Sequence, residues 1–469
     1  MGRFTNFDLT TGTLIPAGHP FHTNNKNFEP RIGFAWDPFK DGKTSVRAAY
    51  AILTQDPTTN IVSPLSGNPP FAVPISVNSA TNTITLENPS AAITGLSLGP
   101  SAIDPNFDNM YAQDWNLTIE RQLAATMSLE VAYVGMKATH LQMTGNFNQP
   151  FVTNGFYDST RPFTTLPLTS PVLPAQCASP NPPCSVGNIT QIFSPGNSNY
   201  NALWVTLNKH LSNGLQFLAA YTYSHSLDYS SVSSGDQVPV QNVYNPRGDY
   251  ASSEFDTRNR IVVSGFYQLP FKGNRLVSGW QVGLVTMAQN GNPITPLLII
   301  GPATGSSITV RPDQLKPVSG TGNPKQFYSN AVLCEPFAGT PVGTPPIPDC
   351  ATTPNAAFAV PCTFAPTPTA PGKYPIVPGT CHPGSAGRDS LPGPDFVNTD
   401  FSLVKNTKIT ERLNLQFRTE VFDLFNHPNF GNPTNTATSA AFGKILSTRF
   451  PVGDFGSARQ IQFALKLLF

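Results

Sequence analysis

Six cysteines and seven histidines are the residues of this chain best equipped to bind metal or to be oxidised. Their spacing favours oxidation. Cys177 and Cys184 lie in one Pro- and Ser-rich stretch, and Cys334, Cys350, Cys362 and Cys381 in another. No C-x-x-C pair occurs and only His382 stands near the second group, so disulfides are expected rather than zinc, with Cys177–Cys184 a local pair. The other four cysteines allow three pairings that spacing does not rank.

The remaining motifs are weak. DGKTS, from Asp41 to Ser45, ends like a phosphate-binding loop, but Asp37 stands where that loop needs glycine, and the run reads as a hairpin turn. Arg247-Gly248-Asp249 invites an adhesion reading, yet in the Pro- and Asp-containing run NPRGDY the tripeptide is ordinary turn chemistry. No G-x-S-x-G, H-E-x-x-H or G-x-G-x-x-G is present, and His140, His210, His225 and His427 are scattered. No catalytic constellation, cofactor or metal is therefore expected.

The elements that position these residues read as strands. Only 12% of the chain is Asp, Glu, Lys or Arg, against about a quarter in an ordinary soluble domain. Mean hydropathy is nevertheless only −0.15, and no apolar run approaches the ~18 residues of a membrane-spanning helix. Lys and Arg total 28 against 27 Asp and Glu, so there is no field to attract nucleic acid, which is not an expected partner. A transmembrane β-barrel fits both facts, because its strands need only about 9–11 alternating residues and may carry a polar inner face.

Such alternation recurs in pairs. Ile32, Phe34 and Trp36 precede Val46, Ala48, Tyr50 and Ile52; Trp115, Leu117 and Ile119 precede Met127, Leu129, Val131 and Tyr133. Further hairpins join Leu203–Leu207 to Leu215–Tyr223, Ile261–Tyr267 to Trp280–Leu284, and Phe401–Leu403 to Leu413–Val421. With the terminal run RQIQFALKLLF these make about eleven strands, and residues 2–9 suggest one more. Short turns alternate with long connections at roughly 54–110, 138–200, 227–258, 290–395 and 424–457, the pattern of an outer-membrane barrel with short turns inside and long loops outside. All six cysteines then fall in outside loops, an oxidising location. Glu120, Arg121, Arg258, Arg260, Arg418 and Glu420 are expected to form a solvated inner ladder, and Trp115 and Trp280 to lie at the two membrane interfaces. Leu415 is expected on the lipid side at mid-strand and Gln416 on the inner side.

NFEPRIGFAWDPFKDGKTSVRAAYAI, QDWNLTIERQL with SLEVAYVGMKATHL, SNYNALWVTLNKHLSNGLQFLAAYTYSHSLD, EFDTRNRIVVSGFYQLPF, NTDFSLVKNTKITERLNLQFRTEVFDLFNHPNFGNP and the terminal RQIQFALKLLF together resemble the C-terminal barrel region of Oar-like TonB-dependent receptors. The resemblance covers nearly every strand. It implies an all-β, antiparallel up-and-down transmembrane barrel in the outer membrane of a Gram-negative-type cell, and an energy-coupled transporter or receptor for a bulky substrate. It also implies a signal peptide, a TonB-contacting segment, a carboxypeptidase-regulatory-like domain and a plug, none of which is evident here. Such receptors close with about 22 strands, so residues 1–469 are expected to be the C-terminal portion of a longer barrel, engaging TonB only through the missing N-terminal part. The alternatives are a complete passive porin of about twelve strands and a surface adhesion or structural all-β protein. The expected partners are outer-membrane lipid and the barrel assembly machinery, to which Phe469, Leu467, Leu465 and Phe463 would present a C-terminal aromatic signal. Substrate contacts are expected in the Pro-rich stretch 330–395, whose composition does not distinguish siderophore, glycan or peptide.

Overall fold

The computed structural model of the 469-residue chain describes residues 4–22, 27–57, 59–70, 72, 97–149, 161–179, 183–231, 240–298, 311–371, 374–377, 379–449 and 458–469. Within these, eleven long strands form one sheet in which each pairs antiparallel with its neighbours in sequence. They are β1 (Arg31–Trp36), β2 (Thr44–Gln55), β3 (Met110–Ala124), β4 (Met127–Asn146), β5 (Thr190–Ser212) and β6 (Leu215–Asp228). β7 (Asn259–Gln268), β8 (Trp280–Gln289), β9 (Phe396–Lys408), β10 (Asn414–Phe422) and β11 (Gln460–Leu468) complete the wall. Two short segments, Ser101–Ile103 and Ala251–Ser252, extend it beside β5 and β6. β1 and β11 do not pair, so among the described residues the wall is an open sheet with two free edges.

Local chemistry sets the tight turns. Between β5 and β6, Asn213 and Gly214 have φ of 52° and 78°, the mirror-image two-residue turn whose twist matches that of its strands. A Cβ on Gly214 would also lie 2.8 Å from the Gln268 carbonyl oxygen. Between β1 and β2, the Asp37 carboxylate accepts the backbone N–H groups of Lys40 and Gly42 at 2.9 Å each, closing the DGK turn.

Register aligns the alternation into two faces. On one, Leu203 lies between Tyr133 and Tyr223, Leu284 between Gly265 and Phe401, and Leu415 between Thr407 and Leu467. Trp115 lies opposite Tyr50 and Gly135, and a Cβ at position 135 would sit 2.3 Å from the indole. Gly135 is therefore the seat of that ring. Ile32, Phe34, Trp36, Ile461, Phe463 and Leu465 are each more than half exposed on this face. Apolar surface of that extent requires a non-aqueous neighbour, and membrane hydrocarbon supplies one. Among the described residues no helix is long and apolar enough to cross a membrane; the crossing elements are strands.

The buried core lies beyond the wall, in the long connections. Leu298, Tyr328, Phe358, Leu391 and Phe442 pack together from 290–395 and 423–459. Phe7, Leu14, Leu98, Leu166, Val186 and Ile189 form a second cluster around Cys177 and Cys184. Each large side chain buried here stabilises the cap by about 1.5–3 kcal/mol, a gain the lipid-facing side chains of the wall do not draw from protein contact.

Three expectations are corrected. Residues 2–9 do contain a strand, Thr5–Asp8, but it pairs with Thr13–Pro16 outside the wall because Phe7 and Leu14 bury in the second cluster. The connection expected at 138–200 is shorter, since β4 and β5 stay paired out to Asn146 and Thr190, with bulges around Gly196 that accommodate Pro195. At about 3.3 Å per residue these strands of 20 and 23 residues far exceed the ~30 Å hydrocarbon core. Finally, Leu415 is the second residue of β10, one step from a short turn, rather than at mid-strand.

Candidate functional site

The inner face of the wall carries the charges. Arg47 on β2 pairs with Glu120 on β3 at 3.0 Å and Glu130 on β4 at 3.4 Å. It thereby offsets the repulsion of two carboxylates that the register sets directly opposite one another. Arg418 and Glu420 pair along β10 at 2.6 Å, and Arg260 reaches Met287 Sδ at 3.5 Å. These pairs are half-exposed and contribute little stability, about 0–1 kcal/mol each; their effect is to keep this face polar.

Two residues expected in that ladder lie elsewhere. Arg121 faces Thr44 and Leu129 on the apolar parity, close to the short turn, where its guanidinium covers the Phe39 ring at 5.3 Å. Its long stem lets the charge leave the lipid for the rim. Arg258 precedes β7 and belongs to the outer rim, where it donates to Asp256 at 3.1 Å and to His225 at 3.0 Å. It has the parity of Arg260 but lies just before the first residue of β7, Asn259, and period-two counting does not resolve where a strand ends.

At the opposite rim, Trp280 opens β8 and donates its indole N–H to the Leu276 carbonyl at 3.1 Å. Lys405, paired with it across the sheet, is buried, stands 5.7 Å from the Trp280 ring and donates to the Arg275 carbonyl at 2.7 Å. Phe463, Leu465 and Leu467 share the apolar face of β11, Phe463 stacking on Phe417 with 6.3 Å between centroids, and Phe469 is fully exposed just beyond.

The outer cap holds a cavity of about 410 Å³ between the connections 229–258, 290–395 and 423–459. Its wall is a buried charge network. Arg388 donates through Nε to the Asp249 carbonyl (2.9 Å), through Nη1 to Asp389 (2.6 Å) and Ser231 (3.3 Å), and through Nη2 to both the carbonyl and the carboxylate of Asp228. Arg311 engages the Ala386 carbonyl, the Gly248 carbonyl and the Asp249 carboxylate. Asp389 has φ of 51°, and Thr295 Oγ1 both donates to its Oδ1 (2.7 Å) and accepts its N–H (3.0 Å). Burial pushes the Asp389 carboxyl up to about 6, against the opposing pull of Arg388 and Thr295. Gln241, also buried, has an Oε1 without a hydrogen-bond partner.

The six cysteines form Cys177–Cys184, Cys334–Cys350 and Cys362–Cys381, all within the cap, leaving no free thiol for a metal. Arg247-Gly248-Asp249 forms a 3-10 turn, Pro246–Asp249, whose Asp249 is buried on Arg311 rather than displayed, which removes the basis for an adhesion reading. The cavity residues Gln241, Thr295, Arg311, Arg388 and Asp389 carry no sequence pattern; they meet only because three connections pack together.

The model of a family described as an outer membrane beta barrel domain matches residues 1–462. No curated protein matches the chain in sequence. Among solved structures, the outer membrane transporter YddB from Escherichia coli is similar over 94% of this chain and 40% of its own, with a TM-score of 0.44 and 10% identity. The FrpB iron transporter from Neisseria meningitidis gives 0.40 and 9% over 94% and 39%. The ferripyoverdine receptor of the Pseudomonas aeruginosa outer membrane gives 0.39 and 11% over 94% and 32%. The chain thus spans from about a third to two-fifths of the length of these structures. With nearly its whole length matched by the family model, and with a wall apolar on one face and polar on the other, the chain belongs to the outer membrane β-barrel domain family and is a strand-spanning protein of the Gram-negative outer membrane.

Proposed function

We propose that the chain forms part of the wall and the outer cap of a TonB-dependent transporter or receptor of the Oar-like kind, which takes up or senses a bulky substrate and is not an enzyme. The observation that carries this reading is the combination, on one chain, of a lipid-facing strand wall with a folded, disulfide-tied cap that holds a ligand-sized cavity beside a buried charge network. A passive porin has no need of such a cap. In this reading residues 1–469 contribute about half of a barrel of some 22 strands, while the plug and the TonB-contacting segment belong to other parts of the receptor. Iron and ferripyoverdine, named for two of the similar structures, are said of those proteins alone and are not carried over.

The test is electrical. In planar bilayers, a gated transporter gives no persistent open conductance, whereas a passive porin gives steady steps as soon as it inserts. Steady conductance by the full-length protein would overturn the coupled reading, as would undiminished substrate accumulation in cells lacking TonB.

A further inference from the structure

The connection between β7 and β8, residues 269–279, is the longest turn on the inner rim. Its sequence, LPFKGNRLVSG, holds two cations and no carboxylate. Asn274 folds it: the Asn274 carbonyl accepts the N–H groups of Val277 and Ser278 at 3.1 Å each, and its Oδ1 accepts the Leu276 N–H at 3.0 Å. The turn so fixed carries Phe271, Leu276 and Val277 outward, 51%, 78% and 46% exposed. Two side chains of the lipid-facing parity hold it in place. The Trp280 indole donates to the Leu276 carbonyl, and Lys405 donates to the Arg275, Ser278 and Asn406 carbonyls. The loop therefore leans on the lipid-facing side of the wall, and its bare apolar side chains meet the membrane border rather than open water. The charge at this corner has one sign. Within 269–279 and 405–413, Lys272, Arg275, Lys405, Lys408 and Arg412 stand against a single carboxylate, Glu411. Lys272 and Arg275 are exposed and make no ion pair among the described residues. Lys405 is buried with its protons on neutral carbonyls, so its charge has no counter-ion either.

We propose that this loop is a phospholipid-binding site of the periplasmic leaflet. Phe271, Leu276 and Val277 seat at the edge of its hydrocarbon, and Lys272 and Arg275 take the phosphate of an anionic headgroup. The Arg275 guanidinium can donate to two phosphate oxygens at once. An anionic headgroup also brings the negative charge that Lys405 lacks, whereas a zwitterionic one adds an ammonium group for which the loop has no carboxylate. Each cation held close to an anionic surface strengthens the association about fivefold. The site belongs to the wall itself, and it serves a transporter and a porin alike, so its failure would leave the receptor reading untouched.

The experiment places a fluorophore on the loop. All six native cysteines are bridged, so Pro270→Cys in the full-length protein, at an exposed position, takes a bimane label at one place. The labelled protein is folded into phosphatidylcholine vesicles holding a minor share of phosphatidylglycerol, with quenching bromine on the acyl chains of one lipid or the other. Phosphatidylglycerol is expected beside the label at about three times its share in the vesicle or more. Lys272→Gln combined with Arg275→Gln should return it to that share, while Lys272→Arg combined with Arg275→Lys keeps the enrichment. Lys325→Gln, on the outer cap, should change nothing. Both glutamine substitutions remove exposed side chains without partners, and heat-modifiable mobility verifies that the wall still folds. Phosphatidylglycerol at its bulk share beside the wild-type loop would overturn the proposal, as would enrichment that survives the double glutamine variant. A label that neither lipid quenches would overturn it too, by placing the loop in water.

Discussion

At the scale of single residues, Glu335 is a group whose titration the cap feels. Its side chain is buried beside the Cys334–Cys350 bridge, and burial pushes its carboxyl up to about 7. Below the ordinary value of 4.5 the group is protonated in both the folded and unfolded chain and imposes nothing. As pH rises from there through 7, the unfolded chain ionises while the folded cap resists, and stability is lost. The cap should therefore be less stable at pH 8 than at pH 5, and Glu335→Gln should abolish this component, raising stability at pH 8 by on the order of 1–2 kcal/mol after allowance for the water that still screens the carboxylate. Hydrogen exchange at the Phe358 and Val360 amides, bonded to the Val332 and Cys334 carbonyls, reports it. An equal pH slope in wild type and variant would refute the assignment. Nothing in the local sequence around Glu335 announces this burial, nor that of Asp389 or Gln241. Glu335 sits in EPFAGT, a Pro- and Gly-containing run that reads as exposed loop, and it is buried where the Cys334–Cys350 bridge brings Pro348 and Cys350 against its backbone.

At the scale of elements, legibility followed the solvent. Leu215, Phe217, Ala219, Tyr221 and Tyr223 alternate visibly in β6 because hydrocarbon on one side and water on the other act on every second residue. Residues 138–146 and 190–200 are equally strand, but both their faces are clear of lipid, so alternation disappears and they read as loop. The same logic sharpens a test of the two faces. Phe417 and Gln416 are adjacent near the middle of β10 and point to opposite sides, Phe417 against Phe463 and Gln416 donating to Asn406 at 2.9 Å. Phe417→Arg should destabilise the wall by about 2–4 kcal/mol, and Gln416→Arg, which keeps a donor for Asn406, by less than about 1 kcal/mol. Folding titrations in lipid vesicles compare them, and equal losses would mean that the faces have been exchanged. The cap responds to a different change. Replacing both Cys362 and Cys381, buried and separated by 19 residues, with serine should destabilise it by about 2–4 kcal/mol. Proteolysis would then cut within 290–395 while the wall keeps its heat-modifiable mobility; simultaneous loss of both would show that cap and wall fold as one unit.

At the scale of the whole molecule, the free edges of the wall impose the strongest condition. An unpaired edge in hydrocarbon leaves N–H and C=O groups unsatisfied at several kcal/mol each, so both β1 and β11 need a strand beside them. They cannot supply it to each other in the usual way. β1 enters the wall from the outer cap and ends at the short turn 37–43, and β11 likewise enters after the outer connection 423–459, so both run inward. Joined directly they would be parallel, whereas outer-membrane barrels of bacteria close antiparallel with an even strand number. In the larger barrel proposed for this chain, outward-running strands would lie between them. Cysteines placed in pairs on the same face of β1 and β11, at Phe34 with Phe463 and at Trp36 with Leu465, distinguish the arrangements. In outer membranes oxidised with copper phenanthroline, no cross-link is expected within one chain, while Phe463→Cys paired with Thr419→Cys on β10, its register partner, should cross-link readily. Efficient β1–β11 cross-linking would establish a closed eleven-strand barrel with a parallel seam. In that event the cap would sit over a pore too narrow for a bulky substrate, and the larger barrel proposed for this chain would have to be given up.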